Sequence, residues 1–373
     1  MVRTAALATA LLALGAAGCS QGGDEVHVEV TNAPDATPTA TAPPGASGAE
    51  PVVVDTVATD LEVPWGLDFL PDGDAVVTER DSAKVLLIGG EDHEVTEVGS
   101  VGDAAPQGEG GLLGVAVSPS FDQDHTLYFY VSSTNDNRIV TATLDGAELS
   151  GTTPIFTGIP LGSIHDGGRL AFGPDGMLYA STGETGNSEL AQDRDSLGGK
   201  ILRLTPDGEP APGNPFDDSP VWSFGHRNVQ GLAFVDGQLW ASEFGQDTFD
   251  ELNKIEAGQN YGWPVHEGTG GASEGYTDPQ ATWGTDVASP SGLAYADGAL
   301  WLGALRGARL WKVPISDQAA GQPEAYFVGE YGRMRTVVVA PDGNLWVTTS
   351  NLDGRGDPQD GDDRILEIDP GGG

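Results

Sequence analysis

The stretch Gly231-Leu-Ala-Phe-Val-Asp-Gly-Gln-Leu-Trp-Ala-Ser-Glu-Phe-Gly245 decides the architecture, because the chain keeps returning to it. A short apolar strand runs into Asp-Gly, and a second strand with an aromatic centre follows. Apolar runs on both sides of an Asp-Gly pair are a β-hairpin signal. Versions begin at Gly66 (GLDFLPDGDAVVTER), Gly114 (GVAVSPSFDQDHTLYFYVSS) and Arg169 (RLAFGPDGMLYASTGE). Two more begin at Gly292 (GLAYADGALWLGAL) and Thr336 (TVVVAPDGNLWVTTS), which makes six copies.

A second motif follows each hairpin. Lys84-Val-Leu-Leu-Ile, Arg138-Ile-Val-Thr-Ala, Lys200-Ile-Leu-Arg-Leu, Glu251-Leu-Asn-Lys-Ile, Arg309-Leu-Trp-Lys-Val and Arg364-Ile-Leu-Glu-Ile each read as a third strand of alternating polarity. Strand-built repeats of roughly 40 to 60 residues are the size of propeller blades. One blade cannot bury both of its faces, so neighbours must stack and the ring must close. A Greek-key sandwich would not produce two motifs in six matched copies. The expectation is an all-β, six-bladed β-propeller over residues 51–370, with Val52-Val-Val-Asp-Thr-Val placed to lend a strand to the last blade. The 55 glycines among 373 residues fit a chain of many tight turns.

Composition narrows the function. There are 17 Lys and Arg against 56 Asp and Glu, a net charge of −39. So few basic residues argue against a nucleic-acid surface, which needs them clustered. A single cysteine excludes an internal disulfide framework. That cysteine, Cys19, follows Ala16-Ala17-Gly18 at the end of an apolar run that is preceded by Arg3. Residues 1–18 read as a secretory signal peptide with a lipobox-like end. Cys19 is then the expected lipidation site, and the protein an exported lipoprotein held to a membrane by its lipid alone. Residues 19–50, rich in Pro, Thr and Ala with few bulky apolar side chains, read as a disordered tether.

The residues that could carry chemistry lie between the strand motifs. His165, in Ser163-Ile-His-Asp-Gly-Gly-Arg169, precedes the third hairpin at a loop facing the expected channel. A histidine there can take a proton from a hydroxyl, or it can simply be a hydrogen-bonded turn residue. Phe224-Gly-His-Arg-Asn-Val-Gln-Gly231 puts Arg227 and Asn228 at the equivalent place before the fourth hairpin. Arg306 follows the second strand of the fifth, and Arg333-Met-Arg335 enters the sixth with both guanidiniums on one face. Arginine forks bind carboxylates in bidentate fashion, so such a cluster suits a small polycarboxylate; each arginine alone could equally pair with an acidic neighbour. The loop Asn351–Asp363 carries five Asp, which suits either Ca²⁺ or plain solvation. Gly-x-Ser-x-Gly, His-Glu-x-x-His, Walker and dinucleotide fingerprints are absent from the sequence.

Gly108-Glu-Gly-Gly-Leu-Leu-Gly-Val-Ala, His165-Asp-Gly-Gly-Arg-Leu, Gly225-His-Arg-Asn-Val-Gln-Gly-Leu, Asn260-Tyr-Gly-Trp-Pro and Arg333-Met-Arg resemble, in that order, the soluble quinoprotein glucose and aldose sugar dehydrogenases. The resemblance runs from about Val63 to Ile368. It implies pyrroloquinoline quinone (PQQ) and calcium as cofactors, an aldose sugar oxidised at C1 to a lactone, and an external electron acceptor. It implies His165 as general base. Arg227 and Asn228 would lie at the quinone oxygens, with Arg306, Arg333 and Arg335 at the cofactor's carboxylates. Gly245 and Gln246 would offer backbone carbonyls to calcium. Glu109, counted with the cofactor-binding residues, falls where glucose enzymes carry Gln near the sugar, and Ile164 where they carry Asp, which argues against glucose specificity; a chain shorter than the glucose enzymes implies an open site and a broader aldose range. A metal-dependent lactonase-type propeller and a non-catalytic sugar- or protein-binding lipoprotein are the rival readings.

Overall fold

The computed structural model describes residues 49–90 and 92–371. The signal segment, Cys19 and most of the tether lie outside them. Strands dominate, and the one α-helix among the described residues is the single turn Phe121–Asp124. Six separate antiparallel sheets form. They cover residues 64–100, 112–159, 170–224, 229–284, 290–326 and, for the sixth, 334–369. The first strand of each sheet touches the first strand of the next, and the sixth touches the first, so the ring closes.

Closure is made by the two ends of the domain. Val52–Ala58 pairs antiparallel with Ile365–Asp369, from Val52 opposite Asp369 to Ala58 opposite Ile365. Leu61 and Asp363 then exchange backbone bonds of 2.9 and 3.1 Å. The strand expected from Val52 onward is thus the outer strand of the sixth blade.

Three strands of each blade match the motifs read from the sequence. Apart from Val52–Ala58 in the sixth blade, the fourth does not announce itself. Glu94–Ser100, Glu148–Ile159 and Glu324–Tyr326 lie at the rim with most side chains in solvent, so they show little apolar alternation. The second strands carry the core aromatics: Tyr179, Trp240, Trp301 and Trp346 are all buried between blades.

The hairpin geometry positions the site. Each first strand begins opposite the end of its second strand: Leu112 faces Val131, Val229 faces Glu243, Pro290 faces Ala304 and Met334 faces Thr349. Residues just before a first strand and just after a second strand therefore meet at one end of the channel. The other end holds a chamber of about 270 Å³ lined by Leu67, Val115, Leu170, Leu232, Leu293 and Val337, one from each blade, with Asp68 and Arg169 also in its wall, so Arg169 lies between this chamber and the mouth.

A chain lacking residues 49–58 should leave Ile365, Leu366 and Ile368 on an open edge. We expect it to unfold at least about 5 °C below the parent, a loss of a few kcal/mol in a domain of this size, and to self-associate through that edge. A monomeric variant with an unchanged midpoint in thermal unfolding would show that the closing strand is dispensable.

Candidate active site

Nearly all the sequence-predicted site residues converge at the mouth formed by the strand starts. His165 adopts a left-handed backbone, φ 56°, which a non-glycine residue takes only when its surroundings enforce it. Glu109 from blade 2 accepts the His165 N–H at 2.8 Å. Thr185 donates to the His165 carbonyl at 3.2 Å. Gly183 passes so close beneath that a Cβ there would overlap the same carbonyl oxygen.

The His165 ring is oriented by a residue the sequence reading missed. Its Nδ1–H donates to Glu184 Oε1 at 2.5 Å. An ionised carboxylate can only accept, so this pairing leaves Nε2 as the ring's acceptor. The side chain keeps 13% of its surface exposed, whereas Glu184 keeps 3%. A signal for Glu184 existed: acidic residues end the second strand or follow it in the copies from Gly66, Arg169 and Gly231, as Glu79, Glu184 and Glu243.

Arg227 and Asn228 lie beside this pair. Glu184 N–H donates to the Arg227 carbonyl at 2.9 Å, and Asn228 Oδ1 accepts from Gly167 at 3.1 Å. Arg227 is fixed from behind by Glu243, whose Oε1 accepts its backbone N–H at 2.5 Å and whose Oε2 accepts from His226 Nδ1 at 2.8 Å. The Arg227 guanidinium lies 5.5 Å from the centre of the Trp263 ring and donates to Phe244 O. Burial lowers its pKa. Two donors stay unmatched: Arg227 Nε and Asn228 Nδ2 are buried without a partner among the described residues. A buried unpartnered donor is costly, and these two belong to consecutive residues next to His165 and Glu184.

His226 resembles a catalytic residue but is not placed as one. Its Nε2 pairs with Ser223 Oγ at 2.8 Å and its ring stacks on Tyr261 at 4.7 Å, with no exposed surface. This Ser-His-Glu row is sealed inside the blade.

Arg333 and Arg335 share Asp353. Arg333 reaches Asp353 Oδ2 at 2.8 Å and Arg335 reaches the same oxygen at 3.2 Å. Burial opposes ionisation of Asp353, yet the two arginines outweigh it and hold the carboxyl below its ordinary value. The Asp-rich loop is therefore neither a plain solvated loop nor a cation cage. Asp353 clamps arginines, Asp362 accepts from Asn351, Gln359 and Arg364, and Asp363 accepts from Thr349, Asn351 and Leu352. Among the described residues no three His, Cys, Asp or Glu side chains converge as a metal cage.

Arg355, from the same loop, crosses to Glu109 Oε1 at 2.7 Å. Glu109 thus spends one oxygen on the His165 peptide and the other on Arg355. Burial opposes its ionisation, but these two donors hold its pKa below the ordinary value. Arg306 lines a cavity of about 610 Å³ with Arg333, Arg355 and Tyr331; it is exposed and has no carboxylate partner among the described residues.

Gly245 and Gln246 open a loop after the second strand of blade 4. The loop's N–H groups turn inward. Gly245 donates to Asp250 at 2.9 Å, while Gln246, Asp247, Thr248 and Phe249 all donate to Glu267 Oε1, Gln246 at 2.7 Å. Neither the Gly245 nor the Gln246 carbonyl accepts a hydrogen bond from the described residues.

Comparison with known proteins places this arrangement. The Glucose / Sorbosone dehydrogenase family matches residues 61–357. Aldose sugar dehydrogenase YliI of Escherichia coli is 30% identical over 346 residues, covering 81% of this chain and 91% of that protein. Quinoprotein glucose dehydrogenase B of Acinetobacter calcoaceticus is 32% identical over 247 residues, covering 56% of this chain and 51% of that protein. The PQQ-bound aldose sugar dehydrogenase of Streptomyces coelicolor superposes with a TM-score of 0.85 at 57% identity, covering 88% of this chain and 99% of that one. The chain belongs to the glucose/sorbosone dehydrogenase family and is an oxidoreductase.

One buried carboxyl at the mouth gives a stability test. Asp166 Oδ1 accepts from Asn137 and Gly162, at 2.9 and 3.1 Å, while Oδ2 has no partner among the described residues. Burial raises its pKa to about 6. Because the folded value is raised, the stability this group contributes is present at acid pH and lost as pH rises through about 6. Asp166→Asn should therefore stabilise the fold at pH 7, by up to about 3 kcal/mol, with the gain shrinking towards pH 4. Thermal midpoints of both proteins across that range decide it; a destabilised variant at pH 7 would refute the assignment.

Proposed function

We propose that the protein oxidises aldose sugars at C1 to lactones, with PQQ and Ca²⁺ as cofactors. The observation that carries this reading is the pair of unpartnered buried donors, Arg227 Nε and Asn228 Nδ2, beside the oriented His165–Glu184 pair. Two unpartnered donors on consecutive residues fit acceptor oxygens such as those of a quinone. The guanidiniums of Arg306, Arg333 and Arg335 fit carboxylates on the same ligand. The free carbonyls of Gly245 and Gln246 fit a hard cation. The names of the relatives agree with a sugar-oxidising quinoprotein.

PQQ, when bound, supplies the hydride acceptor. The chain's own residues do the rest. His165 Nε2 takes the proton of the C1 hydroxyl as the C1–O bond becomes a carbonyl. Glu184 holds the ring in the tautomer that leaves Nε2 basic and stabilises the imidazolium once the proton arrives. Glu109 fixes the His165 backbone in its left-handed conformation and Arg355 fixes Glu109. Arg227 and Asn228 donate to the oxygens on which negative charge grows. The lactone leaves, and an external acceptor removes the electrons. Export and a lipid anchor at Cys19 would put this chemistry outside the cytoplasm, with the tether giving the propeller reach from the membrane.

Apoprotein loaded with PQQ and Ca²⁺ should reduce a redox dye when given aldoses. His165→Ala should lower kcat by about 10²- to 10⁴-fold, the usual worth of general-base catalysis, while binding PQQ like the parent. Aldose oxidation by that variant at the parent rate would remove His165 as base. Glu184→Gln should lower kcat by at least about tenfold with little change in KM, because it disturbs the base rather than sugar binding. An unchanged kcat would leave Glu184 without a role.

A further inference from the structure

The proposed chemistry leaves three buried cations unused: Arg80, which pairs with Asp81, Lys200, which donates to three carbonyls, and Arg169, the one that stands against Arg335 and Trp65. Arg169 opens the first strand of blade 3, four residues after His165. Its Nε donates to the Gln230 carbonyl at 2.8 Å, and a terminal nitrogen donates to Thr336 Oγ1 at 3.1 Å. Its guanidinium lies 4.4 Å from the centre of the Trp65 ring. Its residue is 7% exposed, and among the described residues it has no carboxylate partner.

Arg335 approaches the same Trp65 ring, at 5.9 Å, and the side chain of the same Gln230, at 3.4 Å. Around the channel axis, Arg169, Arg333 and Arg335 thus have a single ion-pairing carboxylate among them, that of Asp353. Burial and the repulsion of Arg335 lower the Arg169 pKa to about 9, so the group is still charged at neutral pH. An unpaired buried charge beside a like charge works against the empty fold. Trp65 and the Gln230 carbonyl soften that cost without neutralising it. A carboxylated ligand at the mouth would supply the missing negative charge, and in a low-dielectric interior that compensation reaches further than in water.

We infer that Arg169 is a positioning residue for the anionic cofactor: its charge, held beneath the mouth next to Arg335, strengthens the binding of a polycarboxylate rather than the fold of the empty propeller. The inference rests on the PQQ reading and deepens it. Arg169 need not touch the ligand; it acts through Arg335 and the field the two share.

Charge and packing separate in three variants. Arg169→Met keeps bulk without charge, Arg169→Gln keeps a donor without charge, and Arg169→Lys keeps the charge without the fork. PQQ affinity in the presence of Ca²⁺ and the thermal midpoint of each apoprotein are the two readouts. Arg169→Lys should bind PQQ within about threefold of the parent, while the two neutral variants should bind at least about tenfold more weakly. Their apoproteins should melt no lower than that of Arg169→Lys. PQQ binding by the neutral variants at parent affinity would overturn the inference. So would a lysine variant as weak as the neutral ones, or neutral variants that fail to fold while the lysine variant folds. Failure of the cofactor reading itself shows separately, as absence of PQQ binding by the parent. In that case benzene-1,3,5-tricarboxylate replaces PQQ as the probe, and the same ranking of variants decides.

Discussion

Everything at the mouth depends on ring closure. Each blade buries its faces only against its neighbours, so the positions of His165, Arg227 and Arg335 relative to one another are set by how six sheets pack around one axis. The pairing of Val52–Ala58 with Ile365–Asp369 locks that packing with backbone hydrogen bonds between the two ends of the domain. Two of the longest-range contacts at the site then become possible. Glu109 meets Arg355 across 246 residues of sequence, and Arg169 meets Thr336 across 167. A sheet left open at blade 6 would have no reason to hold either pair.

The repeat made the fold legible. Period-2 apolar strands joined by Asp-Gly turns report a local backbone preference, and six copies report the architecture without any long-range information. Three rim strands escaped because they are wet on most positions, as in Glu148–Ile159, and two others, Val221–Phe224 and Ala281–Gly284, because four residues are too few to show a period. The site was legible in its cations and its histidine and illegible in its partners. His165, Arg227, Arg333 and Arg335 stand out in an acidic chain because few side chains are basic. The carboxylates that fix them, Glu184, Glu243 and Asp353, are lost among 56 acidic residues. Asp353 is the sharpest case. Its loop reads as a calcium or solvent loop from composition, yet its carboxylate is buried under two guanidiniums contributed by a segment twenty residues earlier. Nothing local in the sequence distinguishes it from Asp357 or Asp360.

One of the motifs that carry the family resemblance stands behind the arginine rather than beside His165. Asn260-Tyr-Gly-Trp-Pro264 forms a bracket behind Arg227. Asn260 and Gln192 exchange side-chain amide bonds of 2.8 and 3.0 Å. Gln192 also donates to the Trp263 carbonyl at 2.6 Å, Tyr261 stacks on the sealed His226, and Trp263 faces the Arg227 guanidinium. The bracket constrains the segment Gly225–Asn228 from the side away from His165. Gly225, at φ 77°, is packed against Asn260 with no room for a Cβ. The Arg227 guanidinium makes no ion pair among the described residues, although Glu243, Glu251 and Glu267 all line the small cavity beside it. Bracing Arg227 through Trp263 and through its own backbone keeps Nε unpaired in a region rich in acceptors. Under the proposed function, preorganisation of this kind would cost folding energy and return it at the transition state. The residues of this segment need no chemistry of their own: they fix where the Arg227 side chain stands.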